Sequence, residues 1–156
     1  MPLAVGDRAP DFTLPDQTGA PVRLSSFLAK GPVVLYFYPK DETPGCTAEA
    51  CAFRDQYADF VDAGASVIGV SDDSVATHAA FAAHHRLPFT LVSDADRALE
   101  KSYGVKRTLG LIPGRVTFVI DPQGIVRNVT DDRLRATKHV SDSARMIREL
   151  RVVQPS

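Results

Sequence analysis

Apolar residues in this chain fall into short runs separated by amphipathic segments, a pattern typical of strands that alternate with helices. The run of β-branched and aromatic residues at 33–38 predicts a central strand that is covered on both faces. A second buried strand is predicted at 66–71, and a further strand at 89–93. The last two runs, at 116–120 and 125–129, are expected to pair as a hairpin.

Helical periodicity occupies the segments between these strands. Helices are predicted near 24–31 and at 44–63, 74–86, 95–103 and 137–151. The first thirty residues are rich in proline and glycine and predict short extended pieces and turns. This order of elements predicts an α/β sandwich in which helices flank a central mixed β-sheet. No internal repeat or linker is visible, so residues 1–156 are expected to form a single domain.

The composition and the net charge of the chain argue against some classes of binding partner. Apolar residues make up 44% of the chain and charged residues 24%, as in ordinary globular proteins. The formal net charge is -1, so no electrostatic force favours nucleic acid or an acidic membrane surface. The N-terminus shows no export signal, and no apolar run reaches membrane-spanning length. We therefore expect a cytoplasmic protein without a nucleic-acid or membrane partner.

The chain has two cysteines, Cys46 and Cys51, which are too few and too close together for a disulfide scaffold. Cys46 begins an apolar stripe whose spacings of four, three, four and three residues predict one buried helix face. The stripe comprises Cys46, Ala50, Phe53, Tyr57 and Phe60. With Thr43 as N-cap and Pro44 as the first helical residue, Cys46 lies in the first turn. Free N–H groups and the helix dipole there favour the thiolate, the nucleophilic form of cysteine.

Cys51 is placed differently on the same helix. Five residues of α-helix rotate a side chain by about 140° and put the two Cα atoms about 8.6 Å apart. A disulfide requires a separation below roughly 7 Å. An intact helix therefore cannot hold a Cys46–Cys51 disulfide, and its formation requires the first one to two turns to unwind.

The segment 36–55 resembles the peroxiredoxins, and most closely their bacterioferritin-comigratory-protein or Q-type branch. The family's Pro-x-x-x-Thr-x-x-Cys motif stands here as Pro39, Thr43 and Cys46. Residues 6–19 and 115–124 resemble its N-terminal segment and its late strand, so the resemblance covers nearly the whole chain. It implies a thioredoxin-like fold and a thiol peroxidase that uses no metal or haem.

By this resemblance, Cys46 is the peroxidatic nucleophile and Cys51 the resolving cysteine. Hydrogen peroxide or a small organic hydroperoxide would convert Cys46 to a sulfenic acid, which Cys51 would capture as an intrachain disulfide. A thioredoxin-like or glutaredoxin-like protein would then reduce the disulfide by exchange. An intrachain resolving cysteine removes any chemical need for a dimer, so a monomer is expected.

The resemblance also assigns residues around the sulfur. Thr43 is expected to hydrogen-bond the peroxide, Pro39 to shield the thiolate from water, and Arg115 to stabilise the thiolate and the peroxide oxygens. Capping would use the oxygen of Thr43 as acceptor and leave its proton free. Glu49 is expected to hold Arg115, because its charge alone would oppose the thiolate. The structural alternatives are a plain N-cap for Thr43 and plain strand ends for Pro39 and Arg115.

Two other classes of function stay compatible with the sequence. A dithiol–disulfide oxidoreductase is disfavoured, because Cys-x4-Cys replaces Cys-x2-Cys and because Thr43 and Arg115 would have no purpose. A redox sensor or holdase that signals to a partner through helix unwinding is not excluded.

The remaining histidines carry weaker signals. His84 and His85 are neighbours on a helix, where side chains point about 100° apart, and no third ligand is suitably spaced. No metal site is therefore predicted. His139 is expected at the protein surface.

Overall fold

A computed structural model describes residues 2–107 and 114–153 of the chain. The strands in these ranges are β1 (Thr13–Pro15), β2 (Pro21–Arg23), β3 (Val33–Phe37), β4 (Ser66–Ser71), β5 (Thr90–Ser93), β6 (Val116–Ile120) and β7 (Val126–Asp131). The helices are α1 (Leu24–Leu28), α2 (Pro44–Asp55), α3 (Tyr57–Asp62), α4 (Val75–His85), α5 (Ala98–Ser102) and α6 (Ala136–Val153). Strands and helices alternate as the sequence predicts.

Most strands belong to one mixed sheet, in the order β5-β4-β3-β6-β7. β4 runs parallel to both β3 and β5, whereas β6 runs antiparallel to both β3 and β7. The predicted mixed sheet with an antiparallel hairpin near its end is therefore confirmed. β1 and β2 form a separate antiparallel pair where the sequence predicts only extended pieces and turns.

β3 is the centre of the fold, because every residue in it is buried. Successive side chains of a strand point to opposite faces. Val34 and Tyr36 join a core formed with α2, α3, α4 and α6, whereas Val33 and Leu35 join a second core that includes α1 and α5. Phe53 is fully buried in the first core, and burial of such a side chain stabilises by about 1.5–3 kcal/mol. Phe53 therefore packs α2, which carries both cysteines, against the sheet.

The helix predicted at 44–63 is interrupted. The backbone leaves helical geometry at Gln56 (φ -104°, ψ 8°), which separates α2 from α3. The apolar stripe nevertheless continues across this break, because Phe53 and Phe60 are both buried with ring centroids 5.8 Å apart. The period of apolar positions therefore predicts the buried face correctly but not the break in the backbone.

α5 begins later than the sequence predicts, at Ala98 rather than near residue 95. The carboxylate of Asp94 is buried and accepts the backbone N–H groups of Leu99 and Glu100 at 3.0 and 2.9 Å. The chain turns through a left-handed residue, Arg97 (φ 61°), before the helix starts. An acidic cap placed several residues ahead of the helix therefore sets its beginning.

The other long helices agree with the predicted boundaries to within a few residues. Ser74 caps α4 by accepting the N–H of Thr77 at 3.1 Å, and Arg86 ends it in the left-handed conformation. α6 extends slightly beyond its predicted range at both ends. Within residues 2–107 and 114–153, no helix is long and apolar enough to cross a membrane.

Candidate active site

The strand pairing brings the start of β6 to the start of α2. Phe37 at the end of β3 pairs with Val116 at the start of β6. The chain leaves β3 through a loop at 39–43 and enters α2 directly afterwards. Arg115 immediately precedes β6, so it lies beside the N-terminal end of α2 although 69 positions separate it from Cys46.

The sulfur of Cys46 is buried in the first turn of α2, and only 1% of this residue is exposed. The backbone N–H of Lys40 donates to Sγ at 3.5 Å, and Nη2 of Arg115 donates to it at 3.4 Å. Both donors and the positive end of the helix dipole favour a negative charge on this atom. The sulfur therefore faces two converging N–H donors at the positive end of the helix.

The guanidinium of Arg115 bridges Cys46 and Glu49. Nη1 donates to Oε1 of Glu49 at 2.6 Å, and both residues are buried. Burial raises the pKa of Glu49 to about 8, against the opposing charge and hydrogen bond of Arg115. Burial also opposes the charge of Arg115, but Glu49 and Cys46 raise its pKa above the ordinary value, so the guanidinium stays charged.

His139 lies behind this pair, and the expectation that it is exposed is wrong. Its side chain is fully buried, 3.6 Å from Oε2 of Glu49. Nε2 donates to the carbonyl of Asp132 at 2.7 Å, and Nδ1 lies 2.7 Å from Oγ1 of Thr117. Burial lowers the pKa of His139, so the ring is neutral at pH 7 and Nδ1 accepts from the threonine hydroxyl. A polar residue on the inner face of a helix leaves no apolar signal in the sequence.

Thr43 takes the N-cap position of α2, but its side chain does not cap the helix. Oγ1 instead donates to the carbonyl of Lys40 at 2.8 Å. The expectation of a capping oxygen with a free proton is therefore wrong, because the carbonyl of Lys40 lies within reach of the hydroxyl. The proton is committed to this bond, and the lone pairs of Oγ1 are the part of the hydroxyl that can receive a ligand.

Pro39 is half-buried and directly precedes Lys40, the residue whose N–H reaches the sulfur. Proline has no N–H, so Lys40 supplies the first amide donor after Tyr38. The structure thus brings Pro39, Thr43 and Cys46 together around one short loop. The expected role of Pro39 as a shield against water stays a prediction.

Cys51 is half-buried on α2, and both cysteines are free thiols. The helix is continuous from Pro44 to Asp55, so the spacing of a regular helix, about 8.6 Å between the two Cα atoms, applies to this pair. The disulfide between the two cysteines therefore cannot form while α2 is intact.

Gly45 is a site residue that the apolar pattern does not reveal. A Cβ atom at this position would lie 2.9 Å from Nη2 and 3.8 Å from Cζ of Arg115. The first distance is shorter than any ordinary van der Waals contact, for which carbon atoms prefer about 3.5–4.0 Å. The only sequence signal is a glycine in a helix, where alanine would be favoured by about 1 kcal/mol.

A buried network fixes the loop that carries Lys40. Oδ2 of Asp41 lies 2.6 Å from Nδ1 of His78, and Oδ1 accepts from the hydroxyl of Tyr38. Nε2 of His78 donates to the carbonyl of Val92 at 2.9 Å. Because a carbonyl only accepts, Nε2 carries a proton. No local pattern in the sequence indicates this network, since His78 and Val92 are far from Asp41 in the chain.

Glu42 lies between the two neighbouring histidines of α4. Its carboxylate oxygens lie 2.9 Å from Nδ1 of His84 and 2.7 Å from Nε2 of His85. The centroids of the two rings are only 4.2 Å apart. The sequence shows no third ligand suitably spaced along the chain, but in the structure the loop at 39–43 brings the Glu42 carboxylate to both rings from a distant part of the sequence.

This fold and this site define a thiol-based redox enzyme. A mixed sheet flanked by helices holds a cysteine sulfur at the start of a helix, faces it with two N–H donors, and places a second free thiol on the same helix. Such an environment is that of a reactive cysteine rather than of an inert core residue.

Comparison with known proteins identifies the family. Residues 5–129 match the AhpC/TSA family. Chloroplastic peroxiredoxin Q of Triticum aestivum is 50% identical over 149 residues, which cover 95% of this chain and 68% of that protein. Chloroplastic peroxiredoxin Q of Sedum lineare is 49% identical over 147 residues, which cover 94% and 78%.

Solved structures agree with this result. Peroxidoxin BcpB of Mycobacterium tuberculosis has a TM-score of 0.90 at 45% identity, over 96% of this chain and 99% of that chain. Peroxiredoxin Q of Xanthomonas campestris has a TM-score of 0.82 at 33% identity, over 88% and 90%. The chain belongs to the AhpC/TSA family, and it is a thiol-dependent peroxidase with a thioredoxin-like fold. The resemblance to the peroxiredoxins is thereby confirmed.

Proposed function

We propose that the thiolate of Cys46 attacks one oxygen of hydrogen peroxide or of a small organic hydroperoxide. The S–O bond forms as the O–O bond breaks, so sulfur becomes a sulfenic acid. The second oxygen leaves with the electron pair of the broken bond and takes up a proton to give water or an alcohol. The observation that carries this proposal is the convergence of the Lys40 and Arg115 N–H donors on the buried sulfur, at 3.5 and 3.4 Å.

The residues around Cys46 favour the transfer of electrons from its sulfur to the leaving oxygen. Negative charge moves from sulfur to the leaving oxygen, and the fixed charge of Arg115 stays beside it throughout, which lowers the barrier. The hydroxyl of Thr43 donates to Lys40, so its oxygen is oriented to accept the O–H of the peroxide. Pro39 directly precedes Lys40 and has no N–H group, and its role in this proposal is to limit the access of water to the sulfur.

The second step joins the two cysteines. The thiol of Cys51 attacks the sulfenic sulfur of Cys46, the disulfide forms, and water leaves with the sulfenic oxygen. Because both residues lie on a continuous helix, the start of α2 has to unwind first. Unwinding also takes the sulfur away from Arg115, and the disulfide becomes accessible to a dithiol protein.

A thioredoxin-like or glutaredoxin-like protein closes the cycle by thiol–disulfide exchange. Its first thiolate attacks the Cys46–Cys51 disulfide to form a mixed disulfide, and its second thiol releases the reduced peroxidase. This reductant is inferred from the chemistry of a solvent-accessible disulfide. Reduction assays with each class of dithiol protein, followed by the consumption of its electron donor, test which of the two serves.

Rapid mixing of the reduced protein with hydrogen peroxide tests the catalytic steps. We expect fast loss of one thiol in the wild type and in Cys51→Ser, and none in Cys46→Ser. A stable sulfenic acid, trapped by a dimedone-type reagent, is expected only in Cys51→Ser. Reaction of Cys46 at the rate of an ordinary free thiol would contradict the proposal and leave a redox sensor or a disulfide oxidoreductase as the alternative.

The enzyme is proposed to act as a monomer. An intrachain resolving cysteine supports this, because no step of the cycle requires a second copy of the chain. Light scattering coupled to size-exclusion chromatography, run on the reduced and on the oxidised protein, tests it. A dimer in either state would overturn it.

We also propose a cytoplasmic location. Two free thiols that cycle through a reducible disulfide suit a compartment in which thiols are kept reduced. Cell fractionation with an antibody to this chain tests the assignment, and a signal confined to an organelle or to the periplasm would overturn it.

A further inference from the structure

Outside the cysteine site, two imidazoles and one carboxylate converge at the C-terminal end of α4. One carboxylate oxygen of Glu42 lies 2.9 Å from Nδ1 of His84, and the other lies 2.7 Å from Nε2 of His85. One ligand atom from each residue falls within 4.8 Å of the other two. The side chains of His84 and Glu42 are 66% and 44% exposed, so solvent ions have direct access to them.

We propose that Glu42, His84 and His85 form a binding site for a first-row divalent cation, with Zn²⁺ as the representative ion. Imidazole nitrogens and a carboxylate oxygen are ligands that Zn²⁺ prefers, and three protein ligands leave a position for water. Tetrahedral bonds of about 2.0–2.1 Å hold their ligand atoms about 3.3 Å apart. The two nitrogens lie 2.9 and 2.7 Å from different oxygens of the Glu42 carboxylate, and one ligand atom from each residue lies within 4.8 Å of the other two, so modest side-chain shifts bring the three ligand atoms to tetrahedral spacing. Mg²⁺ and Ca²⁺ prefer oxygen ligands and are disfavoured.

Local electrostatics and backbone geometry favour a cation at this place. The C-terminal end of α4 carries the negative end of the helix dipole. Glu42 has a left-handed backbone (φ 65°), which is unfavourable for a residue with a side chain, and its carboxylate contacts both rings.

The cation site is connected to the cysteine site through the loop at 39–43. Glu42 follows Lys40 by two residues, and the N–H of Lys40 donates to the sulfur of Cys46. This part of the inference rests on the proposed function, in which the start of α2 unwinds before Cys51 can react. A cation that is bound by Glu42 and by the two histidines of α4 stabilises the helical conformation at the start of α2. It therefore slows formation of the Cys46–Cys51 disulfide. It does not slow the preceding attack on peroxide.

Binding is tested first in protein that lacks both thiols, because thiolates bind Zn²⁺ themselves. Untagged Cys46→Ser/Cys51→Ser protein is titrated with Zn²⁺ in competition with a chromophoric chelator. One ion per chain is expected. Adding His84→Gln should weaken binding at least about tenfold, since even the loss of a group that only orients a ligand costs 10–100-fold. Adding Glu149→Gln, an exposed carboxylate on α6, should change nothing.

Glu42→Gln gives a second, independent variant, and circular dichroism shows whether each variant is folded. Imidazole NMR signals identify the ligands directly, because the chain has only four histidines and the other two, His78 and His139, are fully buried. Zn²⁺ should shift the signals of His84 and His85. Undiminished binding after His84→Gln or Glu42→Gln, or no binding to the thiol-free protein, would overturn the site.

The coupling is tested in protein that retains both cysteines. Zn²⁺ at a saturating concentration should slow disulfide formation severalfold in the wild type and in Glu149→Gln, and leave it unchanged in His84→Gln. Any effect of Zn²⁺ on sulfenic acid formation should be equal in all three proteins, because it then reflects binding to the thiolates and not to the Glu42, His84 and His85 site. Binding with an unchanged disulfide rate would overturn the coupling while the site stands. Failure to form the disulfide even without Zn²⁺ would instead refute the proposed function.

Discussion

Gly45 leaves the space in which Arg115 reaches the sulfur of Cys46, since a Cβ atom there would lie 2.9 Å from Nη2. The guanidinium cannot simply yield, because its other nitrogen is held by Glu49 at 2.6 Å. We expect Gly45→Ala to slow the reaction with peroxide at least about tenfold. Arg115→Ala should slow it further, by about 10²–10³-fold, as for the loss of one preorganised donor. Rapid-mixing rate constants for sulfenic acid formation measure both effects.

Thr47→Ala is the matched control for Gly45→Ala. Both changes raise helix propensity in the first turns of α2, by about 1 kcal/mol for glycine and less for threonine. No hydrogen bond of the Thr47 side chain to Arg115 or Cys46 is present in the described ranges, so Thr47→Ala should affect only the unwinding needed for the disulfide. If Thr47→Ala slowed the peroxide step as much as Gly45→Ala does, helix stiffness rather than the position of Arg115 would explain the result.

The pKa of Glu49, raised by burial from 4.5 to about 8, makes stability depend on pH. The folded state holds this proton between those two values, whereas the unfolded state has released it. The free energy of unfolding therefore falls as the pH rises through this window, by up to about 1.4 kcal/mol per pH unit. Glu49→Gln removes this contribution, so the difference between variant and wild type should grow with pH.

Urea unfolding of both proteins at several pH values between 4.5 and 8.5, under reducing conditions, measures this difference. Taking the difference cancels other titrating groups, including His139, whose lowered pKa acts in the opposite direction at acid pH. Parallel curves across the whole range would show that Glu49 stays ionised in the folded protein and that Arg115 dominates its titration.

The sequence predicts those parts of the molecule that depend on a regular period. The buried run at β3 and the four-three stripe of α2 specify the sheet, the inner helix face and the place of Cys46 at its start. The same reasoning places Cys51 out of disulfide reach, because helix geometry alone fixes that distance.

Other parts of the site depend on contacts between distant segments, and no local pattern contains them. The Asp41–His78 pair joins residues 37 positions apart, and Glu42 meets His84 across 42 positions. The hydroxyl of Thr43 does not make the predicted capping bond for a related reason. It donates to the carbonyl of Lys40, and the orientation of that carbonyl is set by the folded loop.

The Asp41–His78 pair offers a test of how the loop positions Lys40. Both side chains are fully buried, so His78→Ala leaves Oδ2 of Asp41 without its imidazole partner and should cost about 3–5 kcal/mol of stability. The peroxide reaction should also slow, because the N–H of Lys40 is no longer held at the sulfur. Leu150→Ala is the control: it removes a buried side chain of α6, at about 2–5 kcal/mol, without touching the loop. Equal rates in the two variants would show that the loop is held by other contacts.

The two cysteines of α2 make oxidation a change of secondary structure. Their disulfide requires the Cα atoms to approach from about 8.6 Å to below roughly 7 Å, which a regular helix does not permit. We therefore expect far-UV circular dichroism to lose one to two helical turns, about four to seven residues, when the wild type is oxidised with one equivalent of peroxide. Cys51→Ser forms only the sulfenic acid and should keep its spectrum. An unchanged spectrum beside a Cys46–Cys51 disulfide proven by mass spectrometry would refute the unwinding step, and with it the coupling of the cation site to catalysis.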